Sequence, residues 1–373
     1  MALPPEKLLQ LSIFVVDIYN AIEEELLLNM AKILKNDIEL LLTAENAEQY
    51  QHWRMVQLNK LGVLNQQQIN TIARHSSKTA EEVRTMLQTA GYTAIEQHEG
   101  IYKKAVQFGL LAAAPVAQTS AALIGILNAY ERQALETFNL VNTTMLKQAQ
   151  QVYLDVLNQT VGKVLGGVIT PQQALRQTVS KWSQKGIPAL VDKAGRRWST
   201  EGYVNLVCKS TSNNVANEMQ DERMKEYDAD LVEVSSHLGA RPGCAPYQGK
   251  IYSMSGKSKK YPAFSTTTYG EASGLLGCNC RHIKYVYIEG MSKRTYEPYN
   301  ESENEKAYEE SQQQRSLERQ IRKAKREVKM MEAIGDKEGV KLAKNKVSQC
   351  QANMRDFIKA TGRKRQPNRE QIV

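Results

Sequence analysis

Apolar residues recur every three or four positions at Leu8, Leu11, Val15, Ile18 and Ile22, and the stripe continues through Leu26, Met30, Ile33, Leu34, Ile38 and Leu41. That spacing lays one apolar face along one or two helices over 6–42. The same pattern predicts helices over 46–60, two short ones within 65–90, and further helices over 93–114, 116–140 and 142–165. Thr170-Pro171 opens another. Threonine caps the end there, and proline suits the first helical position because the N–H it lacks would be unpaired anyway. No dependable strand pattern occurs in the first 200 residues.

The texture changes after a helix over 200–226. Asp230-Leu231-Val232-Glu233-Val234-Ser235 and Ile283-Lys284-Tyr285-Val286-Tyr287-Ile288 read as strands, and 239–277 is rich in Gly, Pro, Ser, Thr and Tyr, the makings of loops and short hairpins. Beyond 300 the pattern is helical again. Leu317, Ile321, Ala324, Val328 and Met331 form one seam, and Val340, Ala343, Val347, Cys350, Met354 and Phe357 form a second. Gly335 and Asp336 between them fit a helix stop followed by a cap. The expected fold is therefore mainly α. It has a long-helix N-terminal body (1–199), a small α+β domain with long loops (200–300), a C-terminal helical coiled hairpin (301–361) and a disordered basic tail (362–373).

Composition adds two constraints. At 42% hydrophobic and 24% charged, the 373 residues hold ample material for a packed core. The net charge of +9 is unevenly placed: 301–314 carries −4, 315–373 carries +10, and the first 300 residues are left at only +3. The basic residues flank the seam positions of the hairpin, at Arg319, Arg322, Lys323, Lys325, Arg326 and Lys329, then Lys341 and Lys344, and Arg363, Lys364 and Arg365 in the tail. Facing outward, they would meet DNA phosphates without reading sequence, since no aromatic residue lies between 315 and 356 to stack on bases. An acidic protein surface would suit the same charges, and a solvated helix face is the plain alternative. The stretch 105–130 has no charged residue and is long enough to span a bilayer, but Gln107, Pro115, Gln118, Thr119, Ser120 and Asn128 interrupt it. It reads as helix buried in protein.

Chemistry concentrates in the α+β segment. Three of the five Cys and two of the five His fall between 237 and 282: His237, Cys244, Cys278, Cys280 and His282. Zinc takes four such ligands in a tetrahedron, and two loops, HLGARPGC and GCNCRH, could supply two each. The alternative is reduced thiols and imidazoles packed in a small core. The spacings match neither a zinc finger nor a zinc deaminase, which would need His-x-Glu and Pro-Cys-x-x-Cys. Gly256-Lys257-Ser258 imitates the end of a P-loop, but Ile251 stands where its first glycine is required. A Cys-His nucleophile pair stays open, because such partners meet only in space.

Five blocks carry a family resemblance: ELLLNMAKILKND (25–37), LNKLGVLNQQQINTIA (58–73), STSNNVANEMQDERM (210–224), SSHLGARPGCAPYQGKIYS (235–253) and GLLGCNCRHIKYVYIEG (274–290). Over about 10–300 the chain resembles the phage minor capsid protein type 2 family, related to the Mu F-type head-morphogenesis proteins. The resemblance implies a non-enzymatic minor protein of a tailed-phage head, inside the capsid near the portal vertex and in the host cytoplasm during assembly. Its implied partners are the portal protein, scaffold or major capsid protein, and packaged DNA. Mu F-type proteins share Arg-Pro-x-His and, later, Asn-Cys-Arg-Cys. Here Arg241-Pro242-Gly243-Cys244 and Asn279-Cys280-Arg281-His282 stand in those places, with Cys and His exchanged. The exchange keeps ligand-type side chains, so the resemblance implies a structural zinc on His237, Cys244, Cys280 and His282, with Cys278 in reserve. A metal- or Cys/His-dependent virion enzyme, or a membrane-active ejection protein using 105–130, are the alternatives.

Overall fold

The computed structural model describes residues 10–167 and 169–372, and nine α-helices dominate those residues. They are α1 (Ile13–Asn36), α2 (Ile38–Leu42), α3 (Ala47–Asn59), α4 (Leu61–Gln107), α5 (Ala121–Leu165), α6 (Pro171–Lys185), α7 (Thr200–Glu226), α8 (Glu301–Ile334) and α9 (Lys337–Thr361). Strands β1 (Pro188–Val191) and β2 (Arg197–Ser199) pair as a hairpin. Strands β3 (Leu231–Val234), β4 (Ile251–Ser253) and β5 (Lys284–Val286) form an antiparallel sheet in the order β4-β3-β5. The fold is mainly α, as the periodicity predicts. Residues 6–9 of the expected first helix lie outside the described residues.

Several boundaries differ from expectation. One helix of 47 residues, α4, replaces the two short ones expected within 65–90. Nothing between Gly62 and Gly91 breaks it, and Ser76 turns its hydroxyl back onto the Ile72 carbonyl. Helix α5 likewise runs unbroken for 45 residues, with Thr137 and Thr143 bonded back onto Gln133 and Asn139. The charge-free stretch is not one helix: α4 stops at Gln107, Gly109 turns with a φ of 70°, and α5 starts only at Ala121. Arg223 donates to the Pro115 carbonyl and Ala112 N–H to that of Tyr227, which fixes the connection. No helix among the described residues is long and apolar enough to cross a membrane. The ejection reading loses the helix that it needed. The β1–β2 hairpin was also unexpected, because strands of four and three residues are too short to show a period. Its turn is legible in retrospect: Asp192 accepts the N–H groups of Ala194 and Arg196, and Gly195 has a φ of 78°.

The described residues fall into two compact units, each gathered from separated stretches. One takes the described residues up to Val16 with Thr79–Thr137 and Val204–Ser311; the other takes the described residues of 17–78, 138–203 and from Gln312 on. Helices α1, α4, α5, α7 and α8 each contribute residues to both.

In the first unit, α4 and α7 approach closely at Gly91, where a Cβ would overlap the Met219 sulfur. Gln220 seals the contact by donating to the Ala94 carbonyl at 2.7 Å. The sheet adds Val232, Val234, Tyr252, Val286 and Ile288 to a core with Tyr102, Tyr227 and Phe264.

In the second unit, Tyr19 stacks on Phe138 at 5.3 Å between ring centroids and donates to Asn142. Helices α8 and α9 make the expected hairpin, closed by Leu317, Ile321, Cys350, Met354, Phe357 and Ile358. Gly335, with a φ of 80°, ends α8, and Asp336 caps α9 by accepting the Gly339 N–H at 3.0 Å. The same carboxylate takes two hydrogen bonds from Arg176 of α6. Residues 362–372 are no unstructured extension: Pro367–Glu370 make a 3₁₀ turn, and buried Glu370 pairs with Arg365.

Burial alone would raise the Asp336 pKa, but the Arg176 and Gly339 hydrogen bonds outweigh it and hold the carboxyl below its ordinary value. Its contribution is therefore complete above the ordinary carboxylate range and is lost as pH falls through the lower folded value. Asp336→Ala should cost about 2 kcal/mol or more, through the lost cap and an Arg176 left with Glu338 alone. Asp336→Asn, which keeps the cap, should cost less. Urea unfolding at pH 7 and pH 3 checks both: the wild type and Asp336→Ala should converge at the acid end.

Candidate metal centre

The site lies wholly within the first unit, where β3 and β5 bring two loops together. Val232, Glu233 and Val234 pair with Val286, Tyr285 and Lys284, and Ser235 extends the ladder by exchanging hydrogen bonds with Ile283. Continued past that pair, the register would set Ser236 opposite His282 and His237 opposite Arg281, and beyond the ladder the His237 and His282 side chains meet. Their rings stack at 4.5 Å between centroids, 22° from parallel. Cys244 follows on the first loop, at the start of the 3₁₀ turn Ala245–Tyr247.

Three ligand-type side chains converge. Cys244, Cys280 and His282 are buried, with donor atoms all within 4.8 Å of one another. The two sulfurs are 3.8 Å apart, and Cys280 Sγ lies 3.3 Å from His282 Nδ1. Gln248 fixes the imidazole. Its Oε1 accepts the backbone N–H of His237 at 3.0 Å and so presents an acceptor, 3.3 Å away, to His282 Nε2. The proton then belongs on Nε2, and Nδ1 faces the thiols with its lone pair. Of the two thiols, Cys244 carries the charge more readily: the Cys280 hydrogen bond favours its thiolate most, and His282 and Arg241 add to it. The same contact pushes Cys280 up. His237 stays outside the trio. Its Nδ1 lies 3.4 Å from its own Leu238 carbonyl and 3.4 Å from the Arg281 guanidinium. Burial, with His282 and Arg281 nearby, pulls its pKa down to about 3. Cys278 is exposed and directs no atom into the cluster.

Side chains that no ligand pattern singles out hold this arrangement. Arg241 donates to the Cys278 and Gly274 carbonyls at 2.6 Å each, and its Nε reaches Cys244 Sγ at 3.3 Å. One guanidinium thus ties both loops together and supports the thiolate. Asn213 and Asn217, one turn apart on α7, donate to the His282 carbonyl at 2.8 and 3.4 Å. Asn217 also accepts the Lys284 N–H. The second loop folds back so tightly that a Cβ on Gly274 would overlap the Thr268 carbonyl oxygen. Asn279 takes a φ of 58°, a conformation asparagine tolerates, and donates its N–H to Ser210. Of these only Thr268 lies outside the sequence blocks that carry the family resemblance, which is the signal that could have found the others.

The basic residues of the hairpin are placed differently from expectation. In the second unit Arg326 pairs with Glu23, Lys329 with Glu24, Arg322 with Glu201, and Arg365 with Glu370. Arg363 donates to Gln314, Lys325 to Gln371, and Lys344 lies 3.7 Å from Glu332. Arg319, Lys323, Lys341 and Lys364 are exposed. The seam pattern misleads because α8 packs not only on α9 but also against the acidic stretch of α1, which draws its cations inward.

The clamp makes a prediction. Gly274→Ala should force the second loop open at a cost of about 1–3 kcal/mol, and Arg241→Lys, which cannot bridge two carbonyls in a fixed fork, should do so more mildly. In the wild type, a thiol reagent should label Cys278 quickly and Cys244 and Cys280 slowly. Both variants should bring these two toward the Cys278 rate, while unchanged labelling would show that neither group holds the loops.

Known proteins resemble this sequence along most of its length. No solved structure matches the chain. The family described as phage minor capsid protein 2 matches residues 3–359. A structural protein of Lactococcus phage LL-H is 30% identical over 329 residues, covering 85% of this chain and 87% of that one. A structural protein of Lactococcus phage mv4 is 33% identical over 115 residues, 31% of this chain and 94% of that shorter one. With the match running through both compact units and through the Cys/His loops, the chain belongs to the phage minor capsid protein 2 family.

Proposed function

We propose that this chain is a minor structural protein of a tailed-phage head that sits at the portal vertex, inside the capsid, and acts in head assembly and DNA packaging. The observation that carries the reading is the family match from residue 3 to residue 359, with two relatives named as structural proteins. The chemistry of the Cys/His cluster supports a building role over a catalytic one. Its side-chain partners are Arg241, Gln248 and the neighbouring His237, and among the described residues no carboxylate hydrogen-bonds to the trio to serve as general base. Quantifying the protein in purified virions and in DNA-free procapsids tests the placement. A few copies per particle in both, and co-purification with portal protein on co-expression, are expected; absence from virions overturns the reading. Deleting 315–373 would be a poor probe of portal contact, because it removes the ion-pair partners of Glu23, Glu24 and Glu201.

Within that role, Cys244, Cys280 and His282 would hold a structural zinc, and His237, whose ring stacks on that of His282, would have to turn from Leu238 and Arg281 to supply a fourth ligand. The donor set fits. Two thiolates on one tetrahedral zinc, with bonds of about 2.3 Å, stand about 3.8 Å apart, and the sulfurs here are 3.8 Å apart. The Gln248 acceptor on His282 Nε2 is the outer hydrogen bond that orients a metal-bound imidazole. Bound there, zinc would cross-link the two loops. Purified protein should contain close to one zinc per chain, and Cys244→Ser or Cys280→Ser should lose it. Chelation should lower the melting temperature, since structural zinc contributes of order 10 kcal/mol to small folds. Metal-free protein that melts identically with and without added zinc would rule this out.

A further inference from the structure

Exposed positive charge in this molecule is not confined to the hairpin. From Lys250 to Gly270 the chain holds four lysines, Lys250, Lys257, Lys259 and Lys260, and no acidic residue. All four are exposed. They flank β4, an edge strand of the three-stranded sheet, and the loop that leaves it. Among the described residues only Lys260 has an ion pair, an exposed one with Glu289. A second neighbouring carboxylate, Asp230, feels the charge of Lys257 but is engaged by the Ser253 hydroxyl and the Ser255 N–H at 2.6 and 2.7 Å.

The loop is also held in shape. Ser255 Oγ accepts the Lys257 N–H, and Ser258 Oγ accepts those of Lys260 and Tyr261. Ser253 N–H returns to the Pro262 carbonyl, closing the loop at its base. Two half-buried aromatic rings stand beside the lysines: Tyr261 and Tyr287, edge to face at 6.0 Å, with Lys260 Nζ 5.3 Å from the Tyr261 ring. A loop backbone already held in shape, with exposed lysines beside tyrosine hydroxyls and ring faces, suits a polyanion with a regular phosphate repeat better than a scattered acidic peptide, because less loop freedom is lost on binding.

We propose that the loop 250–261 is a nucleic-acid contact surface, gripping the phosphate backbone without reading sequence. This goes beyond the head-protein assignment and is tested on the purified full-length chain, so its outcome is separate from whether the protein co-purifies with portal. Fluorescence anisotropy with two 30-base-pair duplexes of unrelated sequence, over a salt series, reads the contact. Equal affinity for both duplexes and a steep loss with salt are expected for the wild type. The double variant Lys257→Glu/Lys259→Glu should weaken binding at least tenfold at low salt and reduce the slope of log affinity against log salt by about two. Lys341→Glu/Lys344→Glu on α9 should leave affinity and slope nearly unchanged, and circular dichroism melting of both variants checks that the fold survives. Loss on the α9 variant with none on the loop variant would move the contact to the hairpin and overturn the proposal. No wild-type binding at low salt, or competition by polyglutamate as strong as by DNA, would overturn it too.

Discussion

A buried backbone carbonyl must find a donor, and the carbonyl of His282 finds two in Asn213 and Asn217 of α7. Much of the first unit follows from that requirement. The asparagines seat the segment that leads from Cys280 and His282 into β5 against a helix, β5 pairs with β3, and β3 leads the chain into the loop with Cys244. That loop closes on itself, with the Cys244 and Ala245 N–H groups on the Arg241 carbonyl and that of Tyr247 on Cys244, but these bonds do not reach the opposite loop. Arg241 supplies the missing connections by reaching two carbonyls of the opposite loop, and Gly274 and Gly277 let the backbone come close enough to be reached. The thiols are therefore brought together by polar groups that are not themselves reactive. Apolar packing by Leu275, Leu276 and Val286 then excludes water from the result.

The second unit shows a different use of charge. Glu23 is almost fully buried and its pKa is raised by that burial, although Arg326 and the Ile187 N–H both act against the rise. Glu24, Glu201 and Glu370 each face a cation from the end of the chain. Three cations of a segment with a net charge of +10 are thus met by carboxylates outside it. Summed charge describes composition, whereas the surface potential depends on which charges already have partners. Partly buried pairs of this kind fix which helix faces meet more than they add net stability.

Much of the architecture was legible. The apolar periods gave the helices, and the Thr170-Pro171 cap and the Gly335-Asp336 junction gave ends that the structure reproduces at the residue. Interior breaks were harder, because serine and threonine, common at helix ends, can equally bond back into their own helix, as Ser76, Thr137 and Thr143 do. The Cys/His enrichment pointed to the right loops. It could not rank the ligands, since the meeting of Cys244 with Cys280 depends on strand register and on Arg241, while Cys278 and His237 differ from their neighbours only in direction. The fate of the hairpin cations was illegible for a related reason. Their acidic partners, Glu23 and Glu24, lie about 300 residues earlier, and no local pattern connects them.

The threading of the two units has a consequence for biosynthesis. Each is assembled from three separated stretches, and the last stretch of the first begins only at Val204 and runs to Ser311, while that of the second begins at Gln312. Neither can close while the ribosome is still making the middle of the chain. Helices such as α4 and α5 can form early, but their apolar faces must wait for sequence-distant partners, and such high contact order slows folding. During that interval the nascent protein exposes surface that favours aggregation or chaperone capture. A fragment ending near residue 300 would release one unit almost whole and leave the other without its closing hairpin.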